Sequence, residues 1–551
     1  MNQFKNKFKT RGIARNVFRA TRLGLAIAIS LGSMSVFADD YSKIKPAEKV
    51  NGRTIVEFVS SECGGCHNPK LTGATGPNIT MERLRNGLKG KAAKKAGRYI
   101  YPLDEKSVFY TVKAGRSGTA MPAWGTASNP IGKPLTESEM KAIAMHVYNE
   151  PPPKDFHWSM DDMMKTLQNV KDSENGKVTP AENVDDLLFV TERENFSVAV
   201  INTKTQEVVA HLPAGARAHG YTFSPDGKYA YNLGRDGWLY QYDLHTLKAI
   251  RKVRLGLDAR GIAVSDDGKY LLNGMYIPTQ AVIVDAITLK PLKLIDTHHV
   301  KDPDGDYVDS RICSVNDVDP KKVGPYFLMA LKEGGQVWRI DWSKPDFPVT
   351  KVADVGKILH DGFLKPDNKT FYLASQSSNW VAAIDVESMK VIKKIKTGIK
   401  PHPGEGAVWE SKNGHEYAAT PHIGEGKTSV WDTSTNEVVG TVKSGAPGLF
   451  IRSAENMDYV WYDSIFPPMP NEVTVFEKDP PFKVVKHILD GTLTVHPEPD
   501  VDGKFVYVSD WKENVVRVYD DSTLKLVKTI KDVKTPTGIF GVFRRNETSG
   551  H

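Results

Sequence analysis

The sequence predicts a small all-α domain followed by an all-β, eight-bladed propeller. A β-rich pattern recurs eight times over roughly the last two thirds of the 551 residues. A Cys-x-x-Cys-His motif with a helical flank precedes that array, at residues 63–67. Forty-five Gly and 33 Pro indicate many turns, as short strands require. With 25% charged and 40% apolar residues, the composition excludes a largely disordered chain.

Residues 1–38 predict a cleavable export signal. They hold seven basic residues and no acidic one, and an apolar run from Leu23 ends in small residues before Asp39. A basic start, a short apolar core and a small-residue cleavage site are typical of a secretory signal peptide. The apolar run, residues 23–38, is shorter than the roughly 20 residues that span a bilayer. An uncleaved membrane anchor is the alternative.

The distribution of the net charge also agrees with export from the cytoplasm. Seven of the 73 basic residues lie in the signal, so residues 39–551 contain 66 basic and 66 acidic residues, and the formal charge of +7 disappears on cleavage. A balanced mature chain does not favour a nucleic-acid partner. We therefore expect a periplasmic protein that does not span the membrane after cleavage.

Cys63, Cys66 and His67 form the motif that attaches a c-type haem. In this spacing two thiols bond the haem vinyl groups and the histidine binds the iron. A redox dithiol and a chance match are the alternatives. Export argues against chance, because c-type haem is attached outside the cytoplasm. A redox dithiol would need a βαβ setting, whereas residues 54–61 predict a helix that leads into the motif.

Met121 is the candidate second iron ligand, in a turn-rich segment between the motif and a terminal helix. The helix is predicted by a capping box of Thr136 and Glu139, and prolines 151–153 end the unit. This arrangement resembles class I cytochrome c over roughly residues 48–150, which implies His67 and Met121 as ligands. We place the cytochrome c domain at 39–150, a helical linker at 151–185 and the propeller at 186–551.

The propeller is predicted from repeats in which two β-rich runs flank an acidic or polar turn. Repeats of this length with alternating apolar residues are typical of four-stranded propeller blades. A solenoid is the alternative, but the helical content of most solenoids is absent. We expect the segment from Thr535 onward to complete the first blade and close the ring. The repeats are 41 to 55 residues apart and begin near Val198, Leu239, Val282, Val337, Val381, Thr428, Val473 and Val516.

Histidines recur in matching turns of these repeats, where they would converge on the central axis beside a flat cofactor or a metal. A structural histidine bonded to a loop carbonyl is the alternative for each one. They are His219, His360, His402, His422 and His496.

A c-type haem domain joined to an eight-bladed propeller resembles the cytochrome cd1 family over nearly all of the mature chain. The resemblance implies that the propeller binds haem d1 or dihydro-haem d1, with His219 as the iron ligand. It also implies that Arg235 and Arg260 pair with acidic substituents of the tetrapyrrole, which suits the donor fork of arginine. Inter-blade salt bridges are the alternative for both arginines.

Two activities occur in that family. Its nitrite reductases form nitric oxide with two distal histidines: His360 matches one, but Val308 stands at the position of the other and cannot donate a proton. His298 and His299 lie nearby as substitutes. Residues 235–238, 448–453 and 461–464 instead resemble the family members that oxidise dihydro-haem d1, and His496 matches their candidate distal ligand.

The resemblance therefore favours oxidation of dihydro-haem d1 to haem d1, the last step of haem d1 synthesis. In this mechanism His219 and His496 lie near the iron, His360 accepts a proton, and His402 lies close to it. Electrons leave through haem c to a small periplasmic carrier, a cytochrome c or a cupredoxin. Nitrite reduction and a non-catalytic haem d1 carrier remain alternatives, and homodimeric reductases in the family leave a homodimer open. Cys313 is expected to be buried.

Overall fold

The computed structural model describes residues 41–67, 69–72, 78–87, 102–115, 121–126, 133–151, 156–170, 181–546 and 549–550. The predicted signal peptide, residues 1–38, lies outside the described residues. The chain divides into two compact units, residues 1–44 and 45–551. In the first unit a short 3-10 turn is described, and the second contains the helical region and the propeller. Among the described residues, no helix is long and apolar enough to cross a membrane.

The described part of residues 45–170 is mainly helical, after a hairpin of β1 (Lys49–Val50) and β2 (Arg53–Thr54). The predicted capping box of Thr136 and Glu139 is confirmed, and a matching box of Thr54 and Glu57 begins the helix before the cysteine motif. The helices are α1 Ile55–Phe58, α2 Gly64–His67, α3 Met81–Asn86, α4 Glu105–Ala114, α5 Glu137–Asn149 and α6 Met160–Thr166.

Eight antiparallel sheets, built from residues that the structure describes, confirm the eight-bladed propeller. Blades 1 to 4 contain β3 Gln168–Asn169; β4 Leu187–Glu192, β5 Ser197–Asn202, β6 Glu207–Pro213; β7 Ala218–Phe223, β8 Tyr229–Gly234, β9 Trp238–Asp243, β10 Lys248–Arg254; β11 Asp258–Val264, β12 Tyr270–Ile277, β13 Gln280–Asp285, β14 Pro291–Asp296; the separate hairpin β15 Val300–Lys301 and β16 Tyr307–Val308; and β17 Ile312–Val318, β18 Tyr326–Leu331, β19 Gln336–Asp341, β20 Val349–Val352.

Blades 5 to 8 continue the same order. They contain β21 Leu359–Leu364, β22 Thr370–Ser375, β23 Trp380–Asp385, β24 Lys390–Lys396; β25 Ala407–Glu410, β26 Glu416–Pro421, β27 Lys427–Asp432, β28 Glu437–Lys443; β29 Ile451–Arg452, β30 Tyr459–Ser464, β31 Glu472–Glu477, β32 Val484–Ile488; β33 Thr494–Pro499, β34 Phe505–Asp510, β35 Val515–Asp520, β36 Lys525–Ile530; and the C-terminal β37 Pro536–Gly541 and β38 Ser549–Gly550.

Every predicted repeat begins in the third strand of a blade, counted from the axis. These strands are buried on both faces, which explains their apolar runs. The polar turn after them closes through an aspartate: Asp243 Oδ1 accepts the backbone N–H of His245 and Thr246, and Asp285 repeats the arrangement. Such side-chain turns give a reproducible two-strand unit.

The ring closes between the two ends of the propeller sequence. Strand β37 pairs antiparallel with β4, with Ile539 opposite Val190 and Phe540 opposite Phe189, as predicted for the segment from Thr535. At the outer edge of blade 2, β3 pairs with β10, and Met163 of α6 is fully buried between blades 2 and 3. The segment before the propeller is thus attached to its rim.

Candidate functional site

The innermost strands of the blades hold four of the six site residues predicted in the propeller. Innermost strands of neighbouring blades contact one another, which places them at the axis. Within the described residues, bulges interrupt the pairing of six of them with their second strands, and bulges re-aim side chains. The residues at the bulges are His219, Arg260 with Gly261, Cys313, His360 with Asp361, His496, and Thr537 with Gly538.

Asp361 connects the two histidines predicted to act as catalytic groups. Its Oδ1 lies 2.9 Å from Nδ1 of His360 and 2.8 Å from Arg260, and its Oδ2 lies 3.4 Å from Nε2 of His402. The ring centroids of His360 and His402 are 4.5 Å apart. All four side chains are buried. The structure therefore brings together residues from blades 3, 5 and 6, of which Arg260 and Asp361 lie 101 positions apart in the sequence.

His360 is a neutral base in this environment. Burial lowers the pKa of His360 well below its usual value, because a charged imidazole would lose its hydration; Asp361 acts in the opposite direction. Because Nδ1 lies 2.9 Å from the carboxylate of Asp361, the neutral ring is best matched with its proton on Nδ1, which leaves the Nε2 atom a lone pair that can accept a proton. His402 is held separately, with Nδ1 3.0 Å from the carbonyl oxygen of Leu449 in blade 7.

A second buried cluster surrounds His496 with an arginine and two glutamates. Arg452 donates from Nε to Glu498 at 2.6 Å and forms an ion pair with Glu405. The Nη2 atom of Arg452 also lies 2.8 Å from Nε2 of His496. Arg452, His496 and Glu498 are fully buried. The predicted ligand His496 therefore presents its Nε2 to a cation in this structure.

The ring of His496 is fixed on its other sides as well. Its Nδ1 accepts the backbone N–H of Ile539 at 3.2 Å, and its ring stacks on Phe450 with centroids 4.3 Å apart. The backbone of His496 has a φ of +57°, a left-handed conformation that is uncommon for a residue with a side chain. Blades 7, 8 and 1 thus hold this imidazole together.

The predicted haem d1 contacts His219 and Arg235 lie in blade 2. His219 is half-buried at the bulge of β7, two residues after Arg217. Arg235 follows β8, pairs with Asp258 at 3.0 Å and covers the ring of Tyr276 at 4.6 Å. Burial raises the pKa of Asp258 to about 6, although Arg235 lowers it in part. The alternative considered for Arg235, an ion pair with a blade residue, is therefore present.

The Cys-x-x-Cys-His motif, predicted to attach a haem, lies at the end of a π-helical turn, Val59–Cys63, and in helix α2. Cys63 is half-buried, Cys66 lies in α2, and His67 is buried at its end. Met121 is half-buried, and Trp124 three residues later packs edge-on against Phe58 of α1 at 5.4 Å. The segment that carries Met121 therefore packs on the helix that leads into the motif.

The hairpin β15–β16 contains Val308, and the two histidines weighed as substitutes for the missing distal histidine directly precede β15. His298 lies 3.2 Å from Asp309, and His299 stacks on the exposed Tyr307 with centroids 4.0 Å apart. Both histidines are therefore engaged by side chains of the hairpin itself.

The comparisons with known proteins agree with this geometry. The family model described as "Cytochrome D1 heme domain" matches residues 182–545. The chain belongs to this family.

Two relatives match this family member over nearly its whole length. It is 26% identical to "Dihydro-heme d1 dehydrogenase" of Pseudomonas aeruginosa over 527 residues, 94% of this chain and 97% of that protein. It is 28% identical to "Nitrite reductase" of Stutzerimonas stutzeri over 581 residues, 96% of this chain and 98% of that protein. A solved structure, "Dihydro-heme d1 dehydrogenase NirN in complex with DHE", is 25% identical, with a TM-score of 0.67 over 89% of this chain and 98% of that one.

The axis of this cytochrome d1 haem domain suits a ligand with several carboxylates. Several arginines lie close together on the side of the axis formed by blades 1 to 4. Burial lowers the pKa of Arg193 to about 10, and repulsion by the nearby Arg217 contributes to this lowering. The Nε atom of Arg260 is buried without a hydrogen-bond acceptor among the described residues. A buried donor left in this state fits an acceptor supplied by a ligand. The donor set therefore fits haem d1, whose substituents are acidic.

Sequence reasoning assigned no role to Asp361, Arg452, Glu405 or Glu498. Asp361 directly follows the predicted His360 and precedes a glycine, as a turn residue often does, and Arg452 lies in the segment 448–453 that resembles the family members oxidising dihydro-haem d1. For Asp361, Arg452 and Glu498 the signal was a charge inside an innermost strand, where burial demands a partner. That signal identifies the residues but does not name the partners, which come from other blades.

Proposed function

We propose that this protein is an oxidoreductase that converts dihydro-haem d1 to haem d1. The observation that carries the proposal is the buried cluster of His360, Asp361 and His402 beside Arg260. It provides a neutral base next to an anchor for a carboxylate. Similarity to "Dihydro-heme d1 dehydrogenase" over 94% of the chain supports the same reaction.

The tetrapyrrole substrate lies at the propeller axis. His219 binds its iron, while Arg235 and Arg260 pair with its carboxylates. His496 is the candidate second iron ligand. Because Nε2 of His496 faces Arg452 at 2.8 Å, binding of iron through that atom requires Arg452 to move.

The oxidation removes two electrons and two protons from a saturated side chain of the substrate and leaves a carbon–carbon double bond. Nε2 of His360 accepts a proton, and Asp361 stabilises the resulting imidazolium through its contact with Nδ1. His402 shares Asp361 and lies close enough to take part in moving the second proton. The two electrons leave singly.

The helical region is proposed to be an all-α class I cytochrome c domain over residues 39–150. Cys63 and Cys66 would hold a covalent haem c, with His67 and Met121 as its axial ligands. That group supplies a one-electron carrier between the substrate and an external acceptor. The acceptor is a small cytochrome c or a cupredoxin.

The protein acts in the periplasm after cleavage of residues 1–38. A linker over 151–185 precedes the haem d1-binding propeller over 186–551. The balanced charge of the mature chain supports an assignment without a nucleic-acid partner. Because the reductases of the family are homodimers, we also propose a homodimer for this protein. Sedimentation of the purified protein would test its oligomeric state.

Nitrite reduction to nitric oxide is the second candidate. It is favoured by the contact of His360 with His402, at 4.5 Å between centroids, since two neighbouring imidazoles suit proton delivery to nitrite. Similarity to "Nitrite reductase" over 96% of the chain supports it as well. The third candidate is a carrier that binds haem d1 without catalysis.

One preparation separates the three candidates. Purified protein is mixed with dihydro-haem d1 and an electron acceptor, and a second portion is reduced and given nitrite. We expect the absorption spectrum to shift to that of haem d1, with His360→Asn slowing the shift roughly 10²- to 10⁴-fold. The matched control is His245→Asn in an exposed turn of blade 2. Many turnovers of nitric oxide without the spectral shift would contradict the proposal, and binding without either reaction would favour the carrier.

A further inference from the structure

A buried ion pair joins the haem-attachment motif to the propeller. Glu62, which directly precedes Cys63, has a side chain that is 1% exposed. Both terminal nitrogens of Arg217 contact its carboxylate. Nη2 donates to Oε1 at 2.6 Å, and Nη1 lies 2.6 Å from Oε2. Arg53 adds a contact of 2.8 Å to Oε1. One hydrogen bond and one close ionic contact from the guanidinium of Arg217 therefore hold this carboxylate.

Arg217 stands at a constrained point of the propeller chain. Its φ of +48° lies in the left-handed region, which is uncommon for a residue with a side chain. It directly precedes β7, and His219 occupies the bulge two residues later. The pair with Glu62 therefore links the residue before Cys63 to the strand that carries the proposed iron ligand.

A second contact joins the motif to the propeller two residues later, at Gly64. Nη1 of Arg311 donates to the carbonyl oxygen of Gly64 at 2.8 Å, and Nε of Arg311 donates to Glu333 at 2.8 Å. The guanidinium of Arg311 covers the ring of Tyr276 at 4.9 Å, and Arg235 covers the same ring at 4.6 Å. Cys63 thus lies between two residues that are both anchored to the propeller.

We propose that Glu62 and Arg217 are positioning residues that hold the haem-attachment turn against the strand of His219. The electron route between the two sites rests on the proposed function, whereas the mechanical coupling of the two segments does not. A purely local ion pair would stabilise its own surroundings only. A positioning pair makes the two segments, 155 residues apart in sequence, respond together.

Hydrogen exchange of the full-length protein tests the coupling directly. The variants are Glu62→Gln, Arg217→Gln and their combination. We expect each single variant to speed amide exchange at least tenfold in both segments, residues 55–67 and 217–223. The control Glu57→Gln lies in α1, directly before the π-helical turn of Glu62; glutamine completes the capping box there as well, and exchange should change less than twofold. Faster exchange in the substituted segment alone would overturn the proposal.

The reduction potential of the c-type haem provides a readout that general loosening would not reproduce. Charge near a haem changes its potential. Glu62→Gln leaves excess positive charge beside the motif and should raise the potential, whereas Arg217→Gln leaves excess negative charge and should lower it. Equal or absent shifts would contradict positioning by this pair.

The same variants separate this inference from the proposed function. We expect reduction of the c-type haem by bound dihydro-haem d1 to slow at least tenfold in both single variants, and the affinity of Glu62→Gln for dihydro-haem d1 to stay within threefold of that of the wild type. If wild-type protein fails to oxidise dihydro-haem d1 but the paired exchange response is seen, the proposed function fails and the coupling stands. If the wild type oxidises it and exchange responds in one segment only, the coupling fails.

Discussion

Single residues at the axis depend on partners from other blades. Cys313 illustrates the point: its sulfur contacts the carbonyl oxygen of His360 at 3.5 Å, and burial raises the pKa of its thiol to about 12. The prediction of a buried cysteine is confirmed, and such a thiol is a packing group rather than a nucleophile. Asp361 is the opposite case, a buried charge that holds Arg260 and two imidazoles at once.

Replacement of Asp361 by Asn should damage both catalysis and stability. It leaves Arg260 buried without its ion-pair partner, a change that typically costs about 3–5 kcal/mol of unfolding free energy. It also removes the charge that stabilises protonated His360, so we expect oxidation of dihydro-haem d1 to slow roughly 10²- to 10⁴-fold. Denaturant unfolding and the spectral assay measure the two effects.

The control for that variant is Asp367→Asn, in an exposed turn of the same blade. There Asn retains the acceptor for the backbone N–H of Lys369, so stability should change by less than about 0.5 kcal/mol. Equal losses in the two variants would show that Asp361 has no special role.

At the scale of elements, the strands follow from local pattern, whereas the bulges do not. Alternating apolar residues and aspartate turns predict each two-strand unit, and the structure confirms all eight units. A bulge shifts the pairing of two strands by only one or two residues. It therefore leaves the alternation of apolar residues nearly unchanged, and the sequence does not reveal it. His422 shows a related junction: at the end of β26, its Nε2 accepts the backbone N–H of Gly398 after β24, joining blades 5 and 6.

Acid should weaken this junction. Burial lowers the pKa of His422 to about 4, although Glu425 raises it in part. The unfolded chain binds a proton near pH 6.5 and the folded one does not, so stability falls as the pH drops from about 6.5 to about 4. This site alone predicts about 2 kcal/mol less unfolding free energy at about pH 5 than at about pH 7.5.

Glutamine at position 422 keeps an acceptor but does not titrate. We therefore expect His422→Gln to flatten the dependence of unfolding free energy on pH by that amount, measured by denaturant titration at several pH values. His245→Gln, at an exposed turn, should leave the wild-type slope intact. A slope unchanged in His422→Gln would refute the assignment.

The molecule as a whole depends on the closure of the ring by β37. Ile539 and Phe540 are buried in clusters that include residues of blades 1, 2 and 8. The same strand supplies the backbone N–H bound by His496. Closure therefore holds both the propeller and one part of the site.

Truncation distinguishes closure from simple shortening. A chain ending after Thr535 loses the buried Ile539, Phe540 and Val542, worth roughly 5–9 kcal/mol of burial, and should unfold at lower denaturant with loss of cooperativity. A chain ending after Asn546 keeps β37 and loses β38, so its midpoint should stay near that of the full chain. Similar midpoints for the two truncations would contradict closure by β37.

The sequence by itself determined the number of blades, the closing strand, the capping box of Thr136 and Glu139, and the family. These features are local or periodic, so a window of some 45 residues contains their information. The site residues also stand out in the sequence, although their catalytic and ligand roles stay predictions. Only the tertiary structure decided their partners, such as Arg452 for His496 and Arg217 for Glu62, which lie 44 and 155 positions away. Such pairs arise where the ring brings blades and helices together, and burial then requires that each charge be matched.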